Sequence, residues 1–223
     1  MKRKCAKLAY DMIQDGMIVG LGGGSTVALL IGELENNPKQ IQAVTPSADT
    51  MELCLAHHIP LLPLEAVEQV DIAFDGCDEV DENLHALKSC GGIHTKEKIV
   101  AAMAKEYVLL ADETKYFDSL PFGYPLTIEV VRSARAFVKK TLTEMGATVT
   151  ERKADKKAGL VISDDGHYLM EATFSSVENV EELNAALNNV PGIVEHSLFS
   201  GVVTKAIVTG QDGFKIVDRS SKK

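Results

Sequence analysis

The chain has 223 residues, of which 45% are hydrophobic and 25% are charged, a composition typical of a globular protein with one large domain or two smaller ones. Its net charge of −9 disfavours general binding to nucleic acids or to anionic membranes, both of which need a basic surface. No apolar run approaches the roughly 20 residues that cross a bilayer, and the N-terminus lacks a signal peptide's apolar core, so we expect a cytoplasmic protein.

The first half of the chain alternates helices with short apolar strands. One face of the first helix carries Cys5, Leu8, Ala9, Met12 and Ile13, and we expect this helix to end at Asp15-Gly16 with Gly16 as a left-handed C-cap. Further patterns predict strands over residues 17–21, 42–45, 59–64, 70–74 and 107–111, and helices over 27–34, 49–57 and 95–105. This alternation predicts an α/β fold with a doubly wound, mostly parallel sheet, which binds ligands at the carboxyl ends of its strands.

The pattern changes near residue 125. We expect strands over residues 128–131, 148–152, 160–163, 168–174 and 193–198, with helices over 134–145 and after the capping residue Asn179. This order predicts a smaller α+β domain of the ferredoxin-like type. Strands over 203–209 and 214–217 would return to the first sheet. We therefore expect a Rossmann-like domain from residues 1–124 and 199–223, and a small domain from 125–198.

A glycine-rich turn, Gly22-Gly23-Gly24-Ser25-Thr26, lies between a predicted strand and a predicted helix. Backbone N–H groups, the helix dipole and two hydroxyl groups at such a place favour a bound phosphate. The turn lacks the third glycine of the dinucleotide fingerprint and the lysine of the nucleotide P-loop. A plain tight turn capped by Ser25 is the alternative interpretation.

Two acids, Asp75 and Asp78, directly follow a predicted buried strand. They could cap a turn, bind a metal, or handle hydroxyl protons. The nearby histidines, His85 and His94, have no evident ligand spacing to these acids, so the sequence favours a site with neither metal nor cofactor. The four cysteines (Cys5, Cys54, Cys77 and Cys90) form no C-x-x-C pair and predict neither zinc nor structural disulfides.

Lys88 and Glu97 flank a turn of small residues, 89–92. Lys88 could neutralise a developing oxyanion or lie solvated at the surface. Glu97, two residues after Thr95 at the predicted helix start, could simply stabilise the helix N-terminus through its interaction with the helix dipole. It could instead act as a general base if burial raises its pKa against that dipole. Cys77 and Cys90 lie within the candidate site, but we expect small fillers rather than nucleophiles.

Several segments match one family in order along nearly the whole chain. They are residues 19–26 (a G-rich phosphate loop), 75–79 (D-G-A-D-E), 88–98 (K-G-G-G…T-R-E-K), 111–115 (A-D-x-S-K), 125–130 (P-L-P-V-E-V) and 190–199 (I-P-G-V-V-E-H-G-L-F). Together these segments resemble ribose-5-phosphate isomerase of type A. No single motif is decisive, but the set in register is specific.

The resemblance implies a metal-free, cofactor-free enzyme of the pentose phosphate pathway that interconverts ribose 5-phosphate and ribulose 5-phosphate through a cis-enediolate. Glu97 would be the base between C1 and C2, Asp75 would assist ring opening, and Asp78 with Lys88 would hold hydroxyls and stabilise the enediolate oxygen. The substrate-binding groups would be Gly23, Gly24, Ser25, Thr26, Gly76, Cys77, Ser89, Cys90, Gly91 and Lys115. The resemblance also implies a homodimer or larger homo-oligomer, with residues 125–198 as lid, subunit interface or both.

Three departures from the family pattern lie near this site. Gly23 stands where threonine is usual, and residues 45–50 contain a proline and fewer hydroxyls than the family's serine-rich run. Ser89 and Cys90 replace glycines, where a Cβ could obstruct the backbone or forbid positive φ. Because the four proposed chemical groups are kept, the sequence favours an active, divergent enzyme, acting on ribose 5-phosphate or on a related sugar phosphate.

Two other functions compete with this interpretation. A non-catalytic sugar-phosphate sensor on the same fold would keep the phosphate loop but lose the base. An acyl-CoA transferase relative would use a glutamate nucleophile and would need a coenzyme A site, which the sequence does not show.

Overall fold

The computed structural model describes residues 1–154, 156 and 158–219. Its helices are α1 (Lys2–Met12), α2 (Ser25–Asn36), α3 (Ala48–Ala56), α4 (His94–Met103), α5 (Arg135–Glu144) and α6 (Val180–Asn188). Its strands are β1 (Ile18–Leu21), β2 (Gln42–Val44), β3 (Val70–Gly76), β4 (Glu79–Asp81), β5 (Ala86–Leu87), β6 (Ala104–Asp112), β7 (Tyr116–Phe117), β8 (Leu126–Val130), β9 (Ala147–Glu151), β10 (Tyr168–Phe174), β11 (Ile193–His196), β12 (Leu198–Phe199), β13 (Lys205–Thr209) and β14 (Phe214–Asp218). Within these ranges no helix has the length and apolarity needed to cross a membrane.

A six-stranded sheet forms the larger part of the fold, in the order β14-β13-β6-β3-β1-β2. All neighbours are parallel except β14, which pairs antiparallel with β13. The predicted doubly wound sheet is therefore confirmed, and the two late strands do return to it. Helices α1 and α2 pack on one face through residues such as Ala9 and Leu30, while α4 packs on the other through Val100 and Ala101.

Gly20 sets how closely α4 approaches this sheet. A Cβ at that position would lie 2.5 Å from the Cβ of Ala73 and 2.9 Å from Val100 of α4. Since real Cβ atoms do not approach neighbours so closely, only glycine allows this packing. The close contact holds α4 against the strand that carries Asp75.

The second sheet is four-stranded and antiparallel, in the order β11-β8-β10-β9. With α5 between β8 and β9, and α6 between β10 and β11, it has the predicted ferredoxin-like arrangement. Asn179 caps α6 as expected, since its side chain accepts hydrogen bonds from the backbone N–H groups of Glu181 and Glu182 at 3.0 and 3.1 Å.

A third small sheet, β12-β5-β4-β7, was not predicted from the sequence. Its strands have two or three residues each, and β12 lies directly after β11 of the second sheet. Strand β5 ends just before Lys88, whose backbone N–H donates to the Ser197 carbonyl at 3.0 Å. This sheet therefore fixes the backbone position of Lys88.

Two predicted strands were wrong. Residues 59–64 contain Pro60 and Pro63, which lack the N–H that a ladder needs, and the segment makes one bridge to β2, between Leu61 and Ala43. Residues 160–163 likewise make isolated bridges, Leu160 with Lys153 and Ile162 with Tyr168.

Two predicted helix ends were also wrong. The first helix ends at Met12, because Ile13 is already extended (φ −80°, ψ 138°); Gly16 has a positive φ of 85° in the turn that follows and does not cap the helix. The fourth helix ends at Met103 instead of residue 105, since β6 begins at Ala104 and pairs there with Val70.

Candidate active site

The carboxyl ends of β1, β3 and β6 meet at one edge of the parallel sheet, where the predicted site residues collect. A cavity of about 380 Å³ lies there. Its lining consists of Gly23, Gly24, Ser47, Ala48, Asp49, Asp75, Gly76, Cys77, Asp78, Lys88, Gly91, Ile93, Glu97 and Lys115. Ligands bind at this edge in open parallel sheets.

Asp75 lies near the end of β3 and is only 2% exposed. Its Oδ1 accepts hydrogen bonds from the backbone N–H groups of Gly23 at 3.2 Å and Gly76 at 2.8 Å. A Cβ at Gly22 would overlap the Asp75 carboxyl group. The close fit against the Asp75 carboxylate therefore helps to set the backbone conformation of the glycine turn after β1.

Lys88 links the two buried acids of the site. Its Nζ lies 3.0 Å from Asp75 Oδ1 and 3.2 Å from Glu97 Oε1, and donates to the Gly76 carbonyl at 2.5 Å. Burial alone would lower the pKa of Lys88, but the two carboxylates outweigh burial and raise that pKa above its ordinary value. The ammonium group is thus a fixed positive charge inside the cavity.

Glu97 lies in the first turn of α4 and is 6% exposed. Burial raises the pKa of its carboxyl group to about 8, against the attraction of Lys88, while the charge on Asp75 adds to the rise. The burial that a general base would need at a helix N-terminus is therefore present. A carboxyl group with such a pKa can both take up and release a proton near neutral pH.

Asp78 is held by the turn that follows Lys88. Its Oδ2 accepts the backbone N–H groups of Ser89 at 2.6 Å and Cys90 at 3.1 Å. Neither Ser89 nor Cys90 has a positive φ, so their Cβ atoms do not strain the turn. The two departures from glycine are thus compatible with the backbone of this site.

A second cavity of about 160 Å³ adjoins the first, and Gly23, Gly24, Gly76 and Lys115 line both. It also contains Ser25, Thr26 and Lys2. Gly24 has a φ of 94°, which favours glycine, and α2 begins at the next residue with its N-terminus at the cavity.

Two lysines bring positive charge to this second cavity. Lys2 Nζ donates to Ser25 Oγ at 2.8 Å, and Lys115 Nζ donates to the Cys77 carbonyl at 2.5 Å. A helix N-terminus, hydroxyl groups and ammonium groups together make an environment that suits a phosphate group.

The structure thus places most of the predicted site residues in the lining of the two cavities. The side chains of Ser89 and Cys90 do not line either cavity. Ser89 is buried with its Oγ 2.9 Å from Ser197 Oγ, and Cys90 lines a separate cavity beside Arg152 and Tyr124. Cys77 does line the main cavity, where burial raises the pKa of its thiol to about 12. It is therefore a thiol rather than a thiolate nucleophile.

Several residues near the site were missed by the sequence analysis. Tyr107 donates a hydrogen bond from its hydroxyl to Asp75 Oδ2 at 2.8 Å, and Lys2 reaches the second cavity from α1. The cavity lining also includes Ile93 and the residues at the start of α3. Ser47, a residue type that commonly caps helices, is the sequence signal that could have located this helix start; its side chain accepts the Thr50 N–H at 3.2 Å.

Helix α4 is tied to the second sheet at the turn that carries Glu97. Thr95 donates its hydroxyl to Glu129 of β8, whose other oxygen accepts from Ser163 Oγ at 2.6 Å. Lys98 Nζ donates to Glu195 Oε1 of β11 at 2.7 Å. The second sheet therefore supports the helix that positions Glu97.

In the ranges that the structure describes, no cluster of three or more His, Cys, Asp or Glu side chains is arranged to hold a metal ion. The prediction of a site that works without metal or cofactor stays a prediction.

The fold and the two cavities define an α/β protein with two adjoining polar cavities at the carboxyl ends of parallel strands. The chain belongs to the ribose 5-phosphate isomerase A (phosphoriboisomerase A) family, whose model matches residues 42–213. The family suggested by the sequence motifs is therefore confirmed.

Similar proteins span nearly the whole chain. Ribose-5-phosphate isomerase A of Methanocaldococcus jannaschii is 39% identical over 224 residues, covering 98% of each chain, and that of a Synechococcus species is 38% identical over 225 residues, covering 97% of this chain and 95% of the relative. The solved M. jannaschii structure has a TM-score of 0.90, 40% identity and 97% coverage of both chains. A D-ribose-5-phosphate isomerase in complex with phospho-erythronic acid has a TM-score of 0.92 and 34% identity, covering 98% of this chain and 97% of that chain.

Proposed function

We propose that this protein is an isomerase that interconverts D-ribose 5-phosphate and D-ribulose 5-phosphate. Its family membership supports the activity, and one observation carries the chemistry: Glu97 Oε1 lies 3.2 Å from Lys88 Nζ in a cavity that adjoins the glycine turn. An aldose–ketose shift needs a base, a cation for the developing oxyanion and an anchor for the phosphate. All three are close together here.

Glu97 is the proposed base. Its carboxylate removes the C2 proton of the open-chain aldose, and the electron pair of that C–H bond forms the C1–C2 double bond of the enediolate as O1 takes up negative charge. A proton then passes from O2 to O1, and Glu97 returns its own proton to C1 to give the ketose. The elevated pKa of Glu97 suits both halves of this cycle.

Lys88 is the proposed stabiliser of the enediolate oxygen, since its ammonium group is buried and already placed between two carboxylates. A fixed charge in a dry site stabilises an oxyanion without reorganisation during the reaction. Asp75 and Asp78, which line the same cavity, are the proposed partners of the substrate hydroxyls, with Asp75 assisting ring opening.

The second cavity is the proposed phosphate site. Ser25, Thr26, Lys2 and Lys115 all line it, together with the glycine turn. A phosphate held there leaves the sugar chain to extend into the larger cavity toward Glu97. One solved relative is in complex with phospho-erythronic acid, which, like the proposed substrate, carries a phosphate group and hydroxyl groups.

Conversion of ribose 5-phosphate to ribulose 5-phosphate by the purified protein, followed by NMR with excess EDTA present, tests this proposal. Ribose without phosphate is the matched control substrate, and we expect it to be converted far more slowly because it lacks the anchored group. Turnover of ribose 5-phosphate that survives EDTA supports a metal-free isomerase. A folded protein that binds the sugar phosphate but never converts it would refute the proposal.

We further propose a cytoplasmic homo-oligomer. The four cysteines are free thiols, as is usual in a reducing compartment. The exposed side chains of Met51 and Leu55 lie one turn apart on α3 and line one mostly apolar cavity, which supports association with a second copy. Residues 1–124 and 199–223 would form the catalytic domain, and residues 125–198 a small domain that supports α4. Analytical ultracentrifugation would contradict the oligomer if it found a monomer at all concentrations.

A further inference from the structure

A buried tyrosine contacts Asp75, one of the two acids that Lys88 links. Tyr107 of β6 is 1% exposed, and its hydroxyl donates to Asp75 Oδ2 at 2.8 Å. Its ring stacks on Phe199 of β12 with centroids 6.1 Å apart. Its backbone N–H donates to Thr204 Oγ1 at 3.0 Å, so the whole residue is held in place.

The two oxygens of Asp75 have different partners. Oδ1 faces the N–H groups of Gly23 and Gly76 and the Lys88 ammonium, whereas Oδ2 faces the Tyr107 hydroxyl. Hydrogen bonds on both oxygens fix the plane of a carboxylate. Without the tyrosine, the orientation of Asp75 would depend on the contacts of Oδ1 alone.

We propose that Tyr107 is a positioning residue of this site: its hydroxyl fixes the Asp75 carboxylate and thereby keeps the Lys88 ammonium between Asp75 and Glu97. The expected effect of Tyr107 on turnover rests on the proposed isomerase function. The structural part of the inference concerns three side chains of the chain itself and does not require a substrate.

The tyrosine is suited to this role because it keeps its proton. Burial raises the pKa of Tyr107 well above its ordinary value, and the charges on Asp75 and Glu97 raise it further. The hydroxyl is therefore a permanent donor to Asp75. Phenylalanine at this position would keep the ring stacked on Phe199 and lose the donor alone.

The charged groups that act most strongly on Glu97 are Lys88, Asp75 and Asp78, and Glu97 in turn raises the pKa of Tyr107. When the tyrosine donor is lost, Asp75 must rely more on Lys88 and draws the ammonium toward itself. Glu97 then loses part of the attraction that lowers its pKa. We therefore expect the pKa of Glu97 to rise in Tyr107→Phe.

The first test compares Tyr107→Phe with Tyr10→Phe, which removes a hydroxyl that donates to the Asn37 carbonyl at 3.0 Å; neither Tyr10 nor Asn37 lines the two cavities. We expect kcat to fall about tenfold in Tyr107→Phe, which corresponds to about 1.4 kcal/mol, with KM within about twofold because the phosphate contacts are kept. The acidic limb of kcat/KM should move to higher pH. Tyr10→Phe should match the wild type.

A double variant separates positioning from general destabilisation. If Tyr107 acts through Asp75, then Tyr107→Phe combined with Asp75→Asn should be no slower than Asp75→Asn alone. Independent effects that multiply would overturn the inference. Thermal melting of each variant confirms that the folded proteins are being compared.

A second readout needs no turnover. The Glu97 carboxyl carbon can be titrated by ¹³C NMR, with its signal assigned from the Glu97→Gln variant, and its midpoint should move upward in Tyr107→Phe and stay in Tyr10→Phe. An unchanged or lowered midpoint overturns the inference. If the wild type converts no ribose 5-phosphate yet the midpoint moves upward, then the proposed function fails while the positioning role stands.

Discussion

Replacing Lys88 by methionine removes the ammonium group that lies between Asp75 and Glu97. The three side chains are 4%, 2% and 8% exposed, so solvent screens their charges only weakly. Breaking a buried ion pair by removing one partner costs about 3–5 kcal/mol. Because about 1 kcal/mol shifts the melting temperature of a chain this size by roughly 2–4 °C, we expect a decrease on the order of 10 °C.

The loss of unfolding free energy caused by Lys88→Met should increase with pH. At pH 6 the Glu97 carboxyl group, with its pKa of about 8, is mostly protonated and needs no cation. At pH 9 the variant must either hold two charged carboxylates together or take up a proton that has become scarce. The loss of unfolding free energy relative to the wild type should therefore be larger at pH 9 than at pH 6.

Urea denaturation at both pH values measures this difference. Lys105→Met is the matched control, since Lys105 is half exposed and pairs with Asp71 at the surface at 2.7 Å; its loss should cost at most about 1 kcal/mol at either pH. In the assay, Lys88→Met should lower kcat by about 10²–10³-fold, as loss of an oxyanion-stabilising group does. Equal stability losses for the two lysine variants, at both pH values, would refute the reasoning.

Two more predictions concern the pH dependence of turnover and the effect of alanine at two glycines. The value of kcat/KM should rise with pH to a plateau, with a midpoint near 8, because the proposed base Glu97 must first lose its proton; a profile that falls from pH 6 to 9 would contradict this proposal. Gly22→Ala should lower both kcat and the melting temperature, because its Cβ would overlap Asp75. Gly32→Ala in α2, where nothing lies within 4 Å of the added Cβ, should instead stabilise the protein by about 0.5–1 kcal/mol. Melting curves and turnover of the two alanine variants, side by side, check this contrast.

The sequence was sufficient to predict the main sheet and the ferredoxin-like unit, because their helices show a clear periodicity and most of their strands are short apolar runs. Strand β10 matched the predicted residues 168–174 at both ends. The glycine turn and the acids after β3 were found for a related reason: each follows a short apolar strand directly, and parallel strands bring their carboxyl ends together.

The third sheet could not be predicted from local patterns. Strands β5 and β12 have two residues each, too few for a period-two pattern, and they pair across more than a hundred positions of sequence. The apolar run at 59–64 has the composition of a buried strand, but Pro60 and Pro63 lack the backbone N–H groups that a ladder needs, so the predicted strand does not form.

The missed site residues have partners that are distant in sequence. Tyr107 reads as one more apolar residue of a buried strand, and the Asp75 oxygen that it bonds is 32 positions away. Lys2 reads as a basic N-terminal residue, and only the packing of α1 against α2 brings it to Ser25. Such contacts depend on tertiary structure, which local sequence patterns do not contain.

The central claim is that Glu97 carries the proton between C1 and C2. The most direct measurement is the rate of ribose 5-phosphate isomerisation at pH 8 by the wild type, Glu97→Gln and the exposed control Glu68→Gln. Glutamine keeps the shape of the side chain and cannot take up the proton, so kcat of Glu97→Gln should fall by at least about 10²-fold, while Glu68→Gln should match the wild type. Wild-type turnover by folded Glu97→Gln would contradict the claim.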